Sequence, residues 1–369
     1  MMQVAVICDY PEEQWHSMDL CSQMLLDYGQ TALQWQLHSV CPSFQHRFTH
    51  LPKIGTRKAA FNADRLLNRF WDYPNYVKKI VNQFDMFHVC DHTYAQLIHE
   101  LPAHRTGVYC HDIDAFRSLI TPEQEPRPRW YRAMSQRILE GLQKAAIIFY
   151  STETVRQQLE QYQLVDPDRL VHAPLGIAPE FSIEHYSALP KTIQSPFILH
   201  VGSCIPRKRI DALLDVFAEL SRSHPDLHLV KVSGDWTEEQ NQQLDRLNVR
   251  SKVIHLKNLP TSTIAELYRQ AEVVLVTSEA EGFGLPLIES LACGAIAVVS
   301  DLPVFREVAQ DAAIYCPVGD IAAWVRMIET ILNDSNQAPA RSRRLEQASQ
   351  YSWQKHADII RQAYLHLGA

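Results

Sequence analysis

The sequence predicts an α/β protein of two Rossmann-like domains that follow one another along the chain and face a cleft. Three observations lead there. The chain has 369 residues, more than one hydrophobic core usually holds. Short apolar, β-branched runs alternate with longer amphipathic stretches, the pattern of parallel strands joined by crossover helices. That alternation breaks at a connector containing prolines and a glycine near residue 180, and then starts again. An apolar share of 46% and a charged share of 21% are those of a folded globular chain.

The first half opens with a strand at Gln3 to Cys8, a loop from Asp9 to Trp15 and a helix from about Ser17 to Tyr28. Strand, loop and helix are a nucleotide-fold opening, although this loop contains no glycine. A weaker strand follows at Gln34 to Val40, and further strands at Met86 to Cys90, Gly107 to Cys110 and Ala146 to Tyr150. An amphipathic helix spans Tyr131 to Lys144. Between Arg47 and Lys79 eight basic residues face only Asp64 and Asp72, with Phe61, Phe70, Trp71, Tyr73 and Tyr76 interleaved. Such a segment suits an anionic membrane surface or an anionic acceptor; a solvated helix with its aromatics in the core is the plainer reading. Leu170 to Phe181 reads as a hinge and Ser182 to Ser195 as a linker. The predicted domains are therefore residues 1–178 and 179–350, with a terminal helix in 351–369.

The second series begins at Phe197 to Gly202 and continues through strands at Leu227 to Val232, Val253 to Leu256, Val273 to Thr277 and Ala297 to Val299, with a helix from about Arg209 to Arg222. Its densest stretch is Glu279 to Asp301. Ala271 to Thr277 is a strand buried on both faces, and Gly282 and Gly284 then permit a tight turn and a close approach to a ligand. Pro286 suits a helix start and Gly294 a helix end. A helix beginning at about Leu285 points its free N–H groups into the loop, an arrangement that attracts phosphate. Glu281 and Glu289 bracket that start. Gly202-Ser203-Cys204-Ile205-Pro206-Arg207-Lys208 leaves the first strand of this half, bringing two cations to a strand's carboxyl end; guanidinium grips two phosphate oxygens, while ammonium supplies a point charge. Val232-Ser233-Gly234-Asp235 is a third strand exit of small residues.

Other features narrow the function. A net charge of −7 argues against a nucleic-acid surface. The eight cysteines show no C-x-x-C spacing and read as small core residues in a reducing compartment. No stretch of about 18 or more apolar residues occurs, so the expected location is the cytoplasm, peripheral to the inner face of the membrane if the basic segment binds lipid. Neither a zinc-protease nor a serine-hydrolase motif appears. Asp112-Ile113-Asp114 has a D-x-D pattern, but basic groups already serve the phosphates, and no metal or other cofactor is expected.

Glu281-Gly282-Phe283-Gly284-Leu285-Pro286-Leu287-Ile288-Glu289 resembles the E-x7-E motif of the retaining glycosyltransferases of the GT-B fold, family four, a group of mannosyl- and glucosyltransferases. Pro206-Arg207-Lys208 is similar to the family's phosphate-binding element, and Val108-Tyr109-Cys110-His111-Asp112 to its strand ending in H-D. Leu175-Gly176-Ile177 is similar to the inter-domain strand and Tyr351-Ser352-Trp353 to the start of the terminal helices, which implies a last helix crossing back to the first domain. The resemblance implies a catalytic set of Glu281, His111, Arg207 and Lys208. Glu281 would hold donor-sugar hydroxyls, and Arg207 and Lys208 the departing diphosphate. His111 would reach the sugar across the cleft. Donor contacts would come from Gly202, Ser203, Gly282, Phe283, Gly284 and Leu285, with Glu289 on the ribose. The implied substrates are a GDP- or UDP-linked hexose, with mannose favoured by the P-R-K form, and a glycan or lipid-linked sugar acceptor. Ser203 stands where many relatives carry arginine, and the glycine-free loop at Asp9 to His16 departs from the family on the acceptor side. A phosphorylase or epimerase on the same fold, and a non-catalytic nucleotide-sugar binder, are the alternatives.

Overall fold

The computed structural model describes residues 1–30, 35–51, 58–184, 189–190, 192–193 and 196–368. Lys53 and Arg57 of the basic segment, and residues 185–188, 191, 194 and 195 of the expected linker, lie outside the described residues. The chain divides into two compact units, one of Met1–Gly176 with Trp353–Ala369 and one of Ile177–Ser352.

The first unit holds β1 (Met2–Ile7), β2 (Trp35–Val40), β3 (Met86–Val89), β4 (Thr106–Cys110), β5 (Ile147–Tyr150) and β6 (Leu170–His172) in the order β2-β1-β3-β4-β5-β6. Every neighbouring pair is parallel. The second unit repeats the plan with β7 (Phe197–Val201), β8 (His228–Val232), β9 (Val253–Leu256), β10 (Val273–Val276), β11 (Ala297–Ser300) and β12 (Ile314–Cys316) in the order β12-β11-β10-β7-β8-β9, again all parallel. The strands that read as continuous apolar runs, such as β5 and β10, are buried at every position. β2 lies at an edge and alternates buried and open positions, which is why its signal in the sequence is weak. The edge strand β12 is only three residues long and carries too little periodicity to be predicted.

Helices follow the predicted sites with small boundary shifts: His16–Gly29, Arg129–Lys144, Ile210–Ser223 and Leu285–Ala292. The stretch after β3 instead forms a 3-10 turn, His92–Glu100, against which Arg129–Lys144 packs closely. A Cβ on Gly141 would land 2.6 Å from the carbonyl carbon of Ala95 and nearer still to its oxygen. Gly141→Ala is therefore expected to destabilise the first unit by roughly 1–3 kcal/mol or more, read as a lower midpoint in chemical denaturation; an unchanged midpoint would mean the two segments are free to separate.

The last helix, Trp353–Leu367, packs on the first unit. Tyr364 Oη donates to the Phe87 carbonyl at 3.1 Å and lies 2.9 Å from Nδ1 of His88. The basic segment is helical over Lys58–Leu67 and Tyr73–Ile80 with a π turn, Asn68–Asp72, between them. Tyr73 is fully buried and Phe61 and Phe70 pack on the core, whereas Trp71 and Tyr76 are exposed. Asp64, also fully buried, accepts the backbone N–H groups of Arg47, Phe48 and Thr49 at 2.9 Å each. Arg47 itself is held by Asp72. The plainer reading thus describes most of this segment's aromatics. All eight cysteines are free and six are buried, as expected of small core residues.

Candidate active site

In the second unit the strand order reverses between β7 and β10: β8 and β9 extend to one side of β7, and the chain then returns to lay β10 on the other. At such a switch point the loops at the strands' carboxyl ends part and leave a crevice. The loop after β7 carries Gly202 to Lys208, and the loop after β10 carries Thr277 to Gly284. Two hydrogen bonds bind them, one between backbones and one from a side chain to a backbone carbonyl. The Glu279 N–H donates to the Arg207 carbonyl at 2.8 Å, and Thr277 Oγ1 donates to the Lys208 carbonyl at 2.9 Å.

Those links set both cations on Glu281. Arg207 Nη1 lies 3.2 Å from Glu281 Oε2 and also donates to the Ala280 carbonyl at 3.1 Å. Lys208 Nζ pairs with Oε1, which Ser278 Oγ also approaches as donor at 2.7 Å. The Glu281 side chain is only 8% exposed. Burial alone would push its carboxyl up, yet the charges of Lys208 and Arg207 hold it below the usual carboxylate range. The sequence reading gave Glu281 and the two cations separate tasks; the structure brings them together as one ion-paired cluster.

Next to this cluster the helix Leu285–Ala292 begins. Gly284 has φ +97° and a Cβ there would fall 2.6 Å from the Phe305 ring, so glycine is required both for the backbone and for the space. Pro286 occupies the first turn. Gly282 and Gly284 flank the buried Phe283, whose ring meets Tyr351 edge-on at 5.4 Å, and Leu285 opens the helix. Glu289, inside it, is 7% exposed and accepts from Tyr268 Oη at 3.3 Å. Burial pushes its carboxyl up to about 7.

An acid whose pKa is raised by folding favours the folded state below its unfolded value of 4.5 and loses that contribution as pH climbs through about 7. The difference amounts to about 3 kcal/mol. Stability of the wild type relative to Glu289→Gln is expected to fall by that order between pH 4.5 and pH 8. Parallel curves in pH-dependent urea unfolding would show that Glu289 ionises freely in the fold.

Lys231 was not foreseen. It sits fully buried at the end of β8, and its ammonium donates to the carbonyls of Gly202 and Ser233 at 2.5 Å each and of Val232 at 3.1 Å. One cation therefore ties the loop bearing Gly202 and Ser203 to the next strand exit. Burial lowers it to about 8. Gly234 lets the two loops touch, since a Cβ there would fall 2.6 Å from the Cys204 nitrogen. The available signal was a lysine in the apolar run L-V-K-V, a local conflict of the kind that marks a purpose.

In the first unit the order reverses between β1 and β3, and acids and histidines gather at the strand exits. His111 follows β4, is 8% exposed, and places Nε2 2.9 Å from the Cys90 carbonyl. A carbonyl only accepts, so Nε2 carries the proton and Nδ1 is left as an acceptor. Burial lowers its pKa. Beside it Asp91 accepts from Thr93 N at 2.8 Å and lies 3.2 Å from His92 Nδ1. Burial opposes charge on both, but their pairing keeps Asp91 well below the usual carboxylate range and raises His92. Asp9, at the β1 exit, is pushed well above that range by burial and by Asp91. Arg69 pairs with Glu13 at 3.4 Å and stacks on Tyr94. Only His111 of this group was singled out in the sequence. Asp112 caps the Asp114 N–H at 2.9 Å and Asp114 holds Arg117 at 2.7 Å. Among the described residues no group of three or more metal-ligating side chains occurs.

Residues 184–351 match the family model of the glycosyl transferases group 1. They are a group 1 glycosyltransferase domain. It contains the whole cluster of Arg207, Lys208, Glu281 and Glu289. Among curated proteins the chain is similar to O-antigen chain mannosyltransferase B of Escherichia coli, 27% identical over 254 residues that make up 66% of each chain. It is also similar to the serotype-specific mannosyltransferase WbdA of Escherichia coli, 26% identical over 71% of this chain and 34% of that one. The chain thus spans about two thirds of the first relative's length and a third of the second's. The sucrose-phosphate synthase structure from Thermosynechococcus elongatus aligns with TM-score 0.77 at 17% identity, over 100% of this chain and 99% of its own. HepE of Anabaena in complex with UDP aligns with TM-score 0.69 at 14% identity, over 99% and 100%. These likenesses establish the two-domain GT-B fold. No helix among the described residues is long and apolar enough to cross a membrane.

Proposed function

We propose that the chain transfers a hexose, with retention, from a nucleoside-diphosphate sugar to a glycan or lipid-linked sugar. The observation that carries this reading is the ion-paired cluster of Glu281, Arg207 and Lys208 at the switch point of the group 1 domain, next to a helix start that favours phosphate. In this reading the diphosphate of the donor draws Arg207 and Lys208 onto its oxygens. Glu281, thereby released, accepts hydrogen bonds from the sugar. Glu289 accepts them from the ribose, which favours its ionised form, so nucleotide affinity should rise with pH through about 7. Lys231 keeps Gly202 and Ser203 in place beneath the phosphates, and His111, in the first unit, keeps an unprotonated Nδ1 suited to accept from a hydroxyl. The residues present supply cations for the leaving group without a metal or other cofactor. The mannosyltransferases among the relatives support GDP-mannose as the donor, and UDP-linked hexose is the second candidate because HepE is described with UDP.

A thermal-shift panel of GDP, UDP, ADP and TDP tests the donor class, since a ligand of the folded state raises its stability. GDP is expected to give the largest shift, and turnover of GDP-mannose should survive a strong chelator. A larger shift with another nucleotide would move the donor assignment. A cytoplasmic site of action, with peripheral contact to anionic lipid through Arg47–Lys79, belongs to the same reading and is supported by the exposed Trp71 and Tyr76.

A further inference from the structure

Asp91 and His92 follow β3, and His111 and Asp112 follow its neighbour β4, so two acids and two imidazoles meet at adjoining strand exits of the first unit. The His92 side chain is 3% exposed and stands between the acids, with Nδ1 3.2 Å from Asp91 Oδ1 and Nε2 3.8 Å from Asp112 Oδ1. Asp91 accepts from Thr93 at both oxygens, from the N–H at 2.8 Å and from Oγ1 at 2.6 Å. Asp112 Oδ1 accepts the Asp114 N–H at 2.9 Å. Both carboxyls therefore act as acceptors. A bare nitrogen lone pair facing either oxygen would be repelled, whereas an N–H is attracted. The backbone N–H of His111 also points at Nδ1, from 3.3 Å, but the full charge of Asp91 at 3.2 Å outweighs that single dipole. The surroundings thus favour an imidazolium at His92. Burial opposes its charge, yet the hydrogen bond to Asp91 and the charges of Asp91, Asp112 and Asp114 prevail and raise it.

The same acids face His111. Its ring lies 6.4 Å from that of His92 and 4.5 Å from that of Tyr109, centroid to centroid. Burial and charge on His92 oppose a proton on His111, while Asp91 and Asp112 favour one. Nε2–H is already committed to the Cys90 carbonyl at 2.9 Å, so a further proton could enter only at Nδ1 and would turn the acceptor into a donor. The other titratable groups nearby are settled differently. Burial lowers His88 to about 3 and His356 to about 4 and keeps them neutral. It also pushes Asp9 toward its neutral form, Arg69 pairs with Glu13 and Asp114 holds Arg117. We propose that His92 is a positioning residue for His111: it takes the proton that Asp91 and Asp112 draw in, and so keeps His111 neutral with Nδ1 as an acceptor. The functional meaning of that state rests on the proposed role of His111 toward a sugar hydroxyl.

Histidine-ring NMR on the full chain reads both charge states without any assay of activity, with His92→Gln and His111→Gln serving for assignment. In the wild type His92 should lose its proton above the ordinary histidine value of about 6.5, and His111 below it. In His92→Gln the His111 midpoint should rise by about one pH unit or more, since the opposing cation is gone and both acids remain. The loss of kcat/KM for hexose transfer in His92→Gln should be about threefold or more greater at about pH 5.5 than at about pH 8. A packing role alone would lower transfer equally at both and leave the His111 midpoint in place. Asp91→Asn removes the acid instead, so the His92 midpoint should fall by about one unit or more even if His92→Gln fails to fold. An unchanged His111 midpoint in folded His92→Gln, or a wild type in which His111 carries the proton and His92 does not, would overturn the proposal. Should the chain transfer no hexose, the midpoints still decide it, so this inference and the proposed function fail separately.

Discussion

Glu281→Gln is expected to reduce hexose transfer by about a hundredfold to a thousandfold while leaving nucleoside diphosphate affinity within about threefold. The substitution keeps the side chain's size but removes the charge that now rests against Arg207 and Lys208. Diphosphate oxygens then meet the same two cations without displacing a carboxylate, so binding has no reason to weaken. On the proposed reading, transfer loses the carboxylate that grips the sugar as its charge develops. Single-turnover assays with the donor, beside calorimetric titration of GDP, separate the two quantities. Unchanged turnover would remove Glu281 from the site, and equal losses of binding and turnover would assign it to holding the loop alone.

Lys208→Ala should act on the other side of the same pair, weakening diphosphate binding by roughly 10- to 100-fold, the value of one charge-assisted hydrogen bond of about 1.5–3 kcal/mol. Its effect should exceed that of Arg207→Ala, because the Lys208 side chain is 13% exposed and that of Arg207 28%, and the less solvated charge is less screened. Stability should fall as well, since Glu281 stays buried with Arg207 and Ser278 as its remaining partners. Affinity for GDP in the two alanine variants, compared with their denaturation midpoints, tests the order. Unaltered affinity in Lys208→Ala would place the P-R-K turn outside the phosphate site.

Much of this was legible in the chain because it obeys local rules. Gly284 makes the tight turn that a glycine permits, with φ +97°, and Gly294, past the helix end, has φ +76°. The buried runs at 147–150 and 273–276 form central strands because a two-faced burial writes itself as unbroken apolar sequence. Where the local pattern was short or mixed, reading failed. β12 has three residues, and His92–Glu100 forms a 3-10 turn where crossover helices are the rule. The aromatics of Arg47–Lys79 divide between core and solvent in a way that composition cannot express. Tyr73 packs inward while Trp71, two residues before it, is open.

By itself, then, the sequence determined the α/β class, the glycine turn, the helix start and the spacing of Glu281 and Glu289, since each depends on neighbours within a few residues. Only the tertiary structure decided what those acids meet. Glu281 is paired with residues 73 and 74 positions earlier, brought to it by the adjacency of β7 and β10. Two glutamates eight positions apart in one motif end with opposite shifts, one lowered by cations and the other raised to about 7 by burial. Charge state depends on desolvation and on partners from distant strands, and neither is a property of local order.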